Sequence, residues 1–273
     1  MRNLHYWAGQ LLLIVATLHL VRVVFTGAYK RPRRLNWLLG VGLLALLLLL
    51  NFTGYVLRWD ADTNWALTVG IHLVRETPLL GPWLFELLVG VPSSGAAVVG
   101  DITVVRFYTW HVVGLAIPVA GLIGWHVFKV RRDGGISRAS SPDEPRSVRI
   151  HRSQLVHREA VAMLAVSVIL FLLALLFDAP LGAAVDPMAG YEAAQAPWFF
   201  LWVQALLRIL PARLAGVAAP LVIVLLLALL PWLLDRRDEG VGQWFPWAGR
   251  RAQITVLSLL VLLTLLTVWE MLR

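Results

Sequence analysis

The stretch His5-Tyr-Trp-Ala-Gly-Gln-Leu-Leu-Leu-Ile-Val-Ala-Thr-Leu-His19 sets two histidines fourteen residues apart in an apolar run. A second stretch, His111-Val-Val-Gly-Leu-Ala-Ile-Pro-Val-Ala-Gly-Leu-Ile-Gly-Trp-His126, repeats the arrangement at a spacing of fifteen. With 1.5 Å of rise per helical residue, either spacing separates the imidazoles by about 21–23 Å. The two histidines of each stretch therefore lie towards opposite faces of a hydrocarbon layer about 30 Å thick. Fourteen residues make nearly four turns, so His5 and His19 share one helix face. Two such helices side by side can clamp two flat cofactors, one above the other, with a histidine on each side of each iron. That arrangement carries electrons across a membrane.

Composition supports the membrane. Of 273 residues 59% are hydrophobic and 15% charged, with mean hydropathy +0.74, more apolar surface than a soluble domain of this size needs. Six runs are long and apolar enough to span, at about 4–26, 37–57, 105–128, 160–178, 214–235 and 252–271. The predicted fold is an all-α integral membrane bundle of about six transmembrane helices with short surface helices. Leu-rich runs such as Leu43 to Leu50 suit lipid-facing helices rather than barrel strands. The first run lacks a basic leader and a small-residue cleavage site, so it is expected to be a span and not a signal peptide.

The chain has no cysteine, which excludes disulfides, thiolate metal sites, Fe–S clusters held by thiolates of this chain and covalently attached haem. Its net charge of +8 is topological. Sixteen of the 24 basic residues fall in three alternate loops, after the first, third and fifth spans, whereas loops 58–104 and 179–213 hold only Arg58, Arg75, Arg208 and Arg213. This is the positive-inside pattern. It predicts a bacterial inner-membrane protein with both termini on the outer, periplasmic side, and it leaves no nucleic-acid footprint. Because the chain begins four residues before His5, a preceding helix is expected to be missing, or a neighbouring subunit to supply its packing.

Three regions follow. Residues 1–130 form a three-span unit with the paired histidines, 131–158 a polar cytoplasmic linker containing Arg138-Ala-Ser-Ser-Pro-Asp-Glu-Pro-Arg146, and 159–273 a second three-span unit without them. Within the outer loops, 79–90 is predicted as a surface helix, and the Trp- and Phe-rich segment 198–211 as an interfacial helix too short to span.

Imidazole is a common axial ligand of haem iron, and a bis-histidine haem, with no open position, transfers electrons rather than binding oxygen. A lone membrane histidine is more often a proton relay or an interhelical contact, but four at matched spacing point to ligation. His72, His151 and His157 are expected in loops as solvated side chains. In the second span Gly40 and Gly54 repeat at the same fourteen-residue period. Mid-helix glycine costs about 1 kcal/mol against alanine, so the pair suggests the close approach of something bulky, although small residues also serve helix packing. Arg2 and Arg106 at one edge and Arg22 at the other are candidate partners for the haem propionates, or interfacial arginines that snorkel.

Several segments now resemble the cytochrome b subunit of cytochrome bc-type quinol oxidoreductases: His19-Leu-Val-Arg22, Gly27-Ala-Tyr-Lys-Arg-Pro-Arg33, Asn36-Trp-Leu-Leu-Gly40, Phe52-Thr-Gly-Tyr-Val-Leu-Arg-Trp-Asp60 and Val105-Arg-Phe-Tyr-Thr-Trp-His111. The second spacing, the Lys-Arg-Pro-Arg turn and the three-span C-terminal unit look most like the chloroplast-type branch, with two units fused that are separate chains there. The resemblance implies two haem b groups. His5 and His111 would ligate the low-potential haem near the outside, and His19 and His126 the high-potential haem near the inside. It also implies a quinone pocket at each surface, a Rieske iron–sulfur protein, a cytochrome c or other redox subunits as partners, and a homodimer.

Three departures bear on the outer pocket. The family's opening helix is expected to be missing. The proline of its L-P-W-D motif is Arg58. Its P-E-W-Y motif aligns with Ala196-Pro197-Trp198-Phe199, so Pro197 replaces the carboxylate thought to take a proton from quinol. Quinol oxidation needs a proton acceptor, for which Asp60 and Glu192 are the candidates, with Glu76 and Asp186 behind them; each is otherwise a solvated loop carboxylate. The leading expectation is a dihaem subunit passing electrons between a quinone pool and partner redox subunits. One alternative is a haem-bearing subunit with a degenerate outer site in a different redox complex. Another is a non-catalytic membrane anchor, against which all four histidines argue. A transporter is disfavoured because no span is broken in the manner of transporters.

Overall fold

The computed structural model describes residues 1–90, 100–133, 151–184 and 195–273, so linker residues 134–150 and the candidates Asp186 and Glu192 lie outside the described set. The described residues are nearly all helical, and their one β feature is an isolated bridge between Asp60 and Ala184. The first two spans are α1 (Arg2–Phe25) and α2 (Arg34–Val56). Two short helices follow, α3 (Ala61–Arg75) and α4 (Gly81–Val89). The third span is composite: α5 (Asp101–Thr109), a π-helical turn (Trp110–Leu115) and α6 (Ala116–Arg132). Beyond the linker come α7 (Arg152–Leu176), the short α8 (Leu201–Leu207), a second π turn (Arg213–Ala218) running into α9 (Ala219–Leu233), and α10 (Arg250–Met271). Six helical stretches are long and apolar enough to cross a membrane, in the six places where the apolar runs predict them. The chain is a multi-pass membrane protein.

Both π turns stand just ahead of a proline, Pro118 and Pro220. Proline has no N–H and crowds the carbonyl one turn back, so the preceding turn widens to relieve the clash. The helix α3 was not expected from the sequence, and it carries His72, which had been placed in a loop. Its start is written in a capping box: the Asp60 carboxylate accepts from the Thr63 backbone N–H at 3.0 Å, and the Thr63 hydroxyl oxygen accepts from the Asp60 N–H at 2.9 Å. Leu67 and Ile71, one turn apart, bury one face against Val56, Val89 and Phe107.

Three apolar clusters hold the bundle along its length. At the end carrying the basic loops, Val24, Trp37 and Val41 meet Leu230 and Val256 from α9 and α10. Leu13, Leu43, Leu47 and Val119 fill the middle with Phe199. The third cluster lies at the opposite end under α3 and α4. The α7 span has no buried residue; it runs along α1 and is tied to it at the opposite end, where Asn3 Nδ2 donates to the Asp178 carboxylate at 2.8 Å and Trp7 Nε1 to the Phe177 carbonyl at 2.9 Å. An apolar helix this exposed suits a hydrocarbon solvent.

Candidate functional site

Helices α1 and the composite third span face each other so that their histidines meet in two pairs. The His5 and His111 ring centroids lie 6.0 Å apart with planes at 88°, and those of His19 and His126 lie 6.4 Å apart at 82°. The unequal sequence spacings now have a cause. A π turn holds one residue more than an α turn, and His111 sits inside one. Fifteen residues with a π turn thus cover the rotation that fourteen cover in the regular helix α1, and both pairs stay in register.

The pairs fit an iron between them. With metal–imidazole bonds of about 2.0–2.1 Å and about 1.1 Å from ring nitrogen to ring centre, two axial imidazoles hold their centroids about 6.3 Å apart. The observed 6.0 and 6.4 Å bracket that value. Among the described residues, no group of three or more His, Asp or Glu side chains converges on a metal-ion site, whereas an iron already held in a macrocycle needs only two axial ligands. His5 and His19 are exposed on their apolar helix and have no hydrogen-bond partner among the described residues, an unfavourable state in hydrocarbon unless a ligand covers them.

The second span lines both pairs. A Cβ at Gly54 would sit 2.7 Å from His111 Cε1, and one at Gly40 would sit 3.3 Å from His126 Cε1, so the two glycines are where the rings need room. His111 Nδ1 lies 3.1 Å from the Leu50 carbonyl and 3.0 Å from the Thr53 hydroxyl. A proton on Nδ1 satisfies both contacts and leaves Nε2 with its lone pair for a metal. At the other pair, a cavity of about 230 Å³ is lined by His19, His126, Gly40, Asn36, Arg33 and Tyr29 with apolar neighbours. The His126 Nδ1 and Asn36 Oδ1 atoms in its wall are buried without a partner.

The edge residues separate into two groups. Arg2 donates to the Ala179 carbonyl at 2.7 Å, just past α7, and Arg106 to the Glu86 and Leu87 carbonyls in the last turn of α4 at 3.0 and 2.8 Å, so both engage carbonyls at helix C-terminal ends. Those engagements count against their expected part as propionate partners. Arg22 is exposed in the last turn of α1. Arg33, buried in the cavity wall, was not a candidate; its place in the Lys-Arg-Pro-Arg turn is the signal that could have found it.

Asp60 is a correction. From the sequence it is a candidate proton acceptor or otherwise a solvated loop carboxylate, yet it is 3% exposed and held on all sides. Its oxygens accept from the Thr63 and Gly182 backbone N–H groups at 3.0 and 2.9 Å and pair with Arg58 at 2.7 Å. Burial acts to raise its pKa, but the Gly182 and Thr63 N–H groups and the Arg58 guanidinium outweigh it and hold the carboxyl below the usual range. A carboxylate so stabilised is a poor base. Arg58, which stands where the family has proline, is the same pair's other half and lies 4.9 Å over the Tyr55 ring. Glu76 is likewise paired, with Arg213 at 2.7 Å.

At the basic end the turn after α1 docks on the segment after α9. Lys30 is fully buried and meets the Asp235 carboxylate at 3.0 Å, the Tyr29 hydroxyl donates to the same carboxylate, and Lys30 also donates to the Glu239 carbonyl at 2.7 Å. Burial, then the hydrogen bond to Asp235, push the Tyr29 phenol well above its ordinary range.

A family model described as cytochrome b (N-terminal)/b6/petB matches residues 10–188, and one described as cytochrome b (C-terminal)/b6/petD matches residues 183–270. The chain is similar to the menaquinol:cytochrome c reductase cytochrome b subunit of Geobacillus thermodenitrificans, 39% identical over 133 residues that cover 49% of this chain and 58% of that one. It is 37% identical to the cytochrome b6 of Heliobacterium modesticaldum over 49% of this chain and 60% of that one, and 30% identical to the cytochrome b/c1 of Bradyrhizobium diazoefficiens over 85% and 34%. The chain thus spans less than two thirds of the length of these relatives. Its fold matches a chain of a hyperthermophilic respiratory Complex III with TM-score 0.72 and 22% identity, over 99% of this chain and 71% of that one.

Proposed function

The chain belongs to the cytochrome b family, and from that premise we propose that it is the dihaem electron-transfer subunit of a quinol:cytochrome c reductase-like complex. The observation that carries this reading is the pair of imidazole–imidazole gaps, each of the width one iron requires, at opposite ends of the same two helices. His5 and His111 hold one haem b, His19 and His126 the other. Bound there, the two groups supply a one-electron couple at each end of the span. The protein's part is to fix the ring orientations, keep Gly40 and Gly54 bare beneath the rings, and exclude water with the Leu13, Leu43, Leu47 and Val119 cluster between the sites. At the basic end, Arg33 and the Asn36 amide supply a cation and a polar group to the cavity for propionate or quinone oxygens.

In this reading, supported by the positive-inside pattern, that basic end lies in the cytoplasm and both termini on the periplasmic side. Residues 1–130 act as the haem-bearing unit and 159–273 as the second unit, joined by the linker. A Rieske protein or another redox subunit, together with a cytochrome c, completes the electron path, and the assembly is a homodimer or larger complex. The engaged state of Asp60 and Glu76, together with Pro197, favours a second reading of the outer end, in which quinol is not oxidised there and electrons pass to an external redox partner. Addition of a reduced menaquinone analogue to the purified protein tests the proposal. The b-type absorption should reduce, and an Arg33→Leu variant should slow that reduction. Bound haem that no quinol reduces would contradict it.

A further inference from the structure

The second span presents the same cradle twice, fourteen residues apart. Beside His111 stand the Leu50 carbonyl, Thr53 and Gly54; Asn36, Leu39 and Gly40 hold the matching positions beside His126. The glycines agree, each lying under the Cε1 edge of its ring. The carbonyls agree in place: Leu50 O accepts from Nδ1 at 3.1 Å, and the Asn36 carbonyl stands beside His126 at the matching position. The third position differs. Thr53 sets its hydroxyl 3.0 Å from His111 Nδ1, whereas Leu39 carries none and His126 Nδ1 is left without a partner. One hydroxyl separates two otherwise repeating cradles.

We propose that Thr53 is a positioning residue that holds the His111 ring with Nδ1 protonated and makes the His5–His111 site the more electron-rich of the two. The inference rests on the haem-ligation reading above. Iron on Nε2 requires the proton on Nδ1. The Thr53 hydroxyl donates to the Leu50 carbonyl at 2.9 Å, so its remaining lone pairs face the imidazole N–H. That N–H is then shared between two acceptors. Acceptors on the remote nitrogen push electron density onto the ligating nitrogen, which favours the oxidised iron and lowers its potential. His126 has no such hydroxyl beside it, because the matching position is Leu39. The Thr53–Leu50 bond alone would be an ordinary contact of a helical threonine with its own backbone, so the test must separate tuning from helix stability.

The test is an anaerobic redox titration of the purified chain, followed at the b-type α band, with a haem count on every sample. Wild-type protein should show two waves, one of which disappears in His111→Ala. Thr53→Val should raise that wave alone, and Thr53→Ser should restore its wild-type position. Leu39→Thr should lower the other wave. With two haems bound, an unmoved wave in Thr53→Val, or identical behaviour of the valine and serine variants, overturns the proposal. If Thr53→Val does not keep its haem, Leu39→Thr decides: an unmoved second wave is equally fatal. A wild-type chain without two haems instead fails at the ligation reading, and the inference falls with it.

Discussion

Gly54 and Gly40 differ in how closely the rings press on them, and the difference sets a graded expectation. A methyl at Gly54 would meet His111 Cε1 at 2.7 Å, a distance that forces the ring to move, whereas the 3.3 Å at Gly40 asks only a small shift. Gly54→Ala should therefore reduce haem content towards one per chain, and Gly40→Ala should retain both, as read by pyridine haemochrome. Asp60 yields a second expectation at this scale. Its folded-state pKa lies below the unfolded value, so its contribution is present above the ordinary aspartate range and is lost as pH falls through the depressed value. Acidification below that range should speed amide exchange in α3. Asp60→Ala should loosen the helix start at neutral pH by about 0.5–2 kcal/mol, the usual worth of such a cap. The histidine pairs and the glycines were legible in the sequence because their meaning is periodic. Thr53 was not, because its partner is 58 residues away and a threonine in an apolar run carries no mark of what it touches. Asp60 was misread for the same reason: its partner Gly182 is distant in the chain.

At the scale of elements, the spans declared themselves by length and hydropathy. The π turn did not, although the fifteen-residue spacing and Pro118 were both visible. Their connection needs the observation that the pairs face each other in register. Deleting Val113, an exposed residue inside the π turn, converts that turn to regular helix and should leave two haems per chain. Inserting an alanine after Leu122 adds a residue with no wide turn to absorb it, rotates His126 by about 100° relative to His111, and should remove one haem. The helix α3 escaped detection because its polar face resembles a loop, and only its capping box and the Leu67–Ile71 spacing distinguish it.

For the molecule as a whole, the Lys30–Asp235 pair, with the Tyr29 hydroxyl, fastens the first turn of the bundle to its last third. Both side chains are buried, so removing one partner leaves a charge without compensation, at a cost of about 3–5 kcal/mol, while replacing both by apolar groups is often neutral. Lys30→Met should lower the detergent melting temperature markedly, and Lys30→Met with Asp235→Leu should recover most of the loss. No sequence pattern pairs residues 30 and 235; charge alternation showed only that both loops lie on one side. The proposed electron path needs a haem at each end of one helix pair. The most direct measurement is a dithionite-reduced minus oxidised spectrum of the purified chain with a pyridine haemochrome count. The account predicts two b-type haems per chain, falling to one in His19→Ala and in His111→Ala and to none when both are changed. One haem in the wild-type protein, or a count unchanged by either substitution, would contradict it.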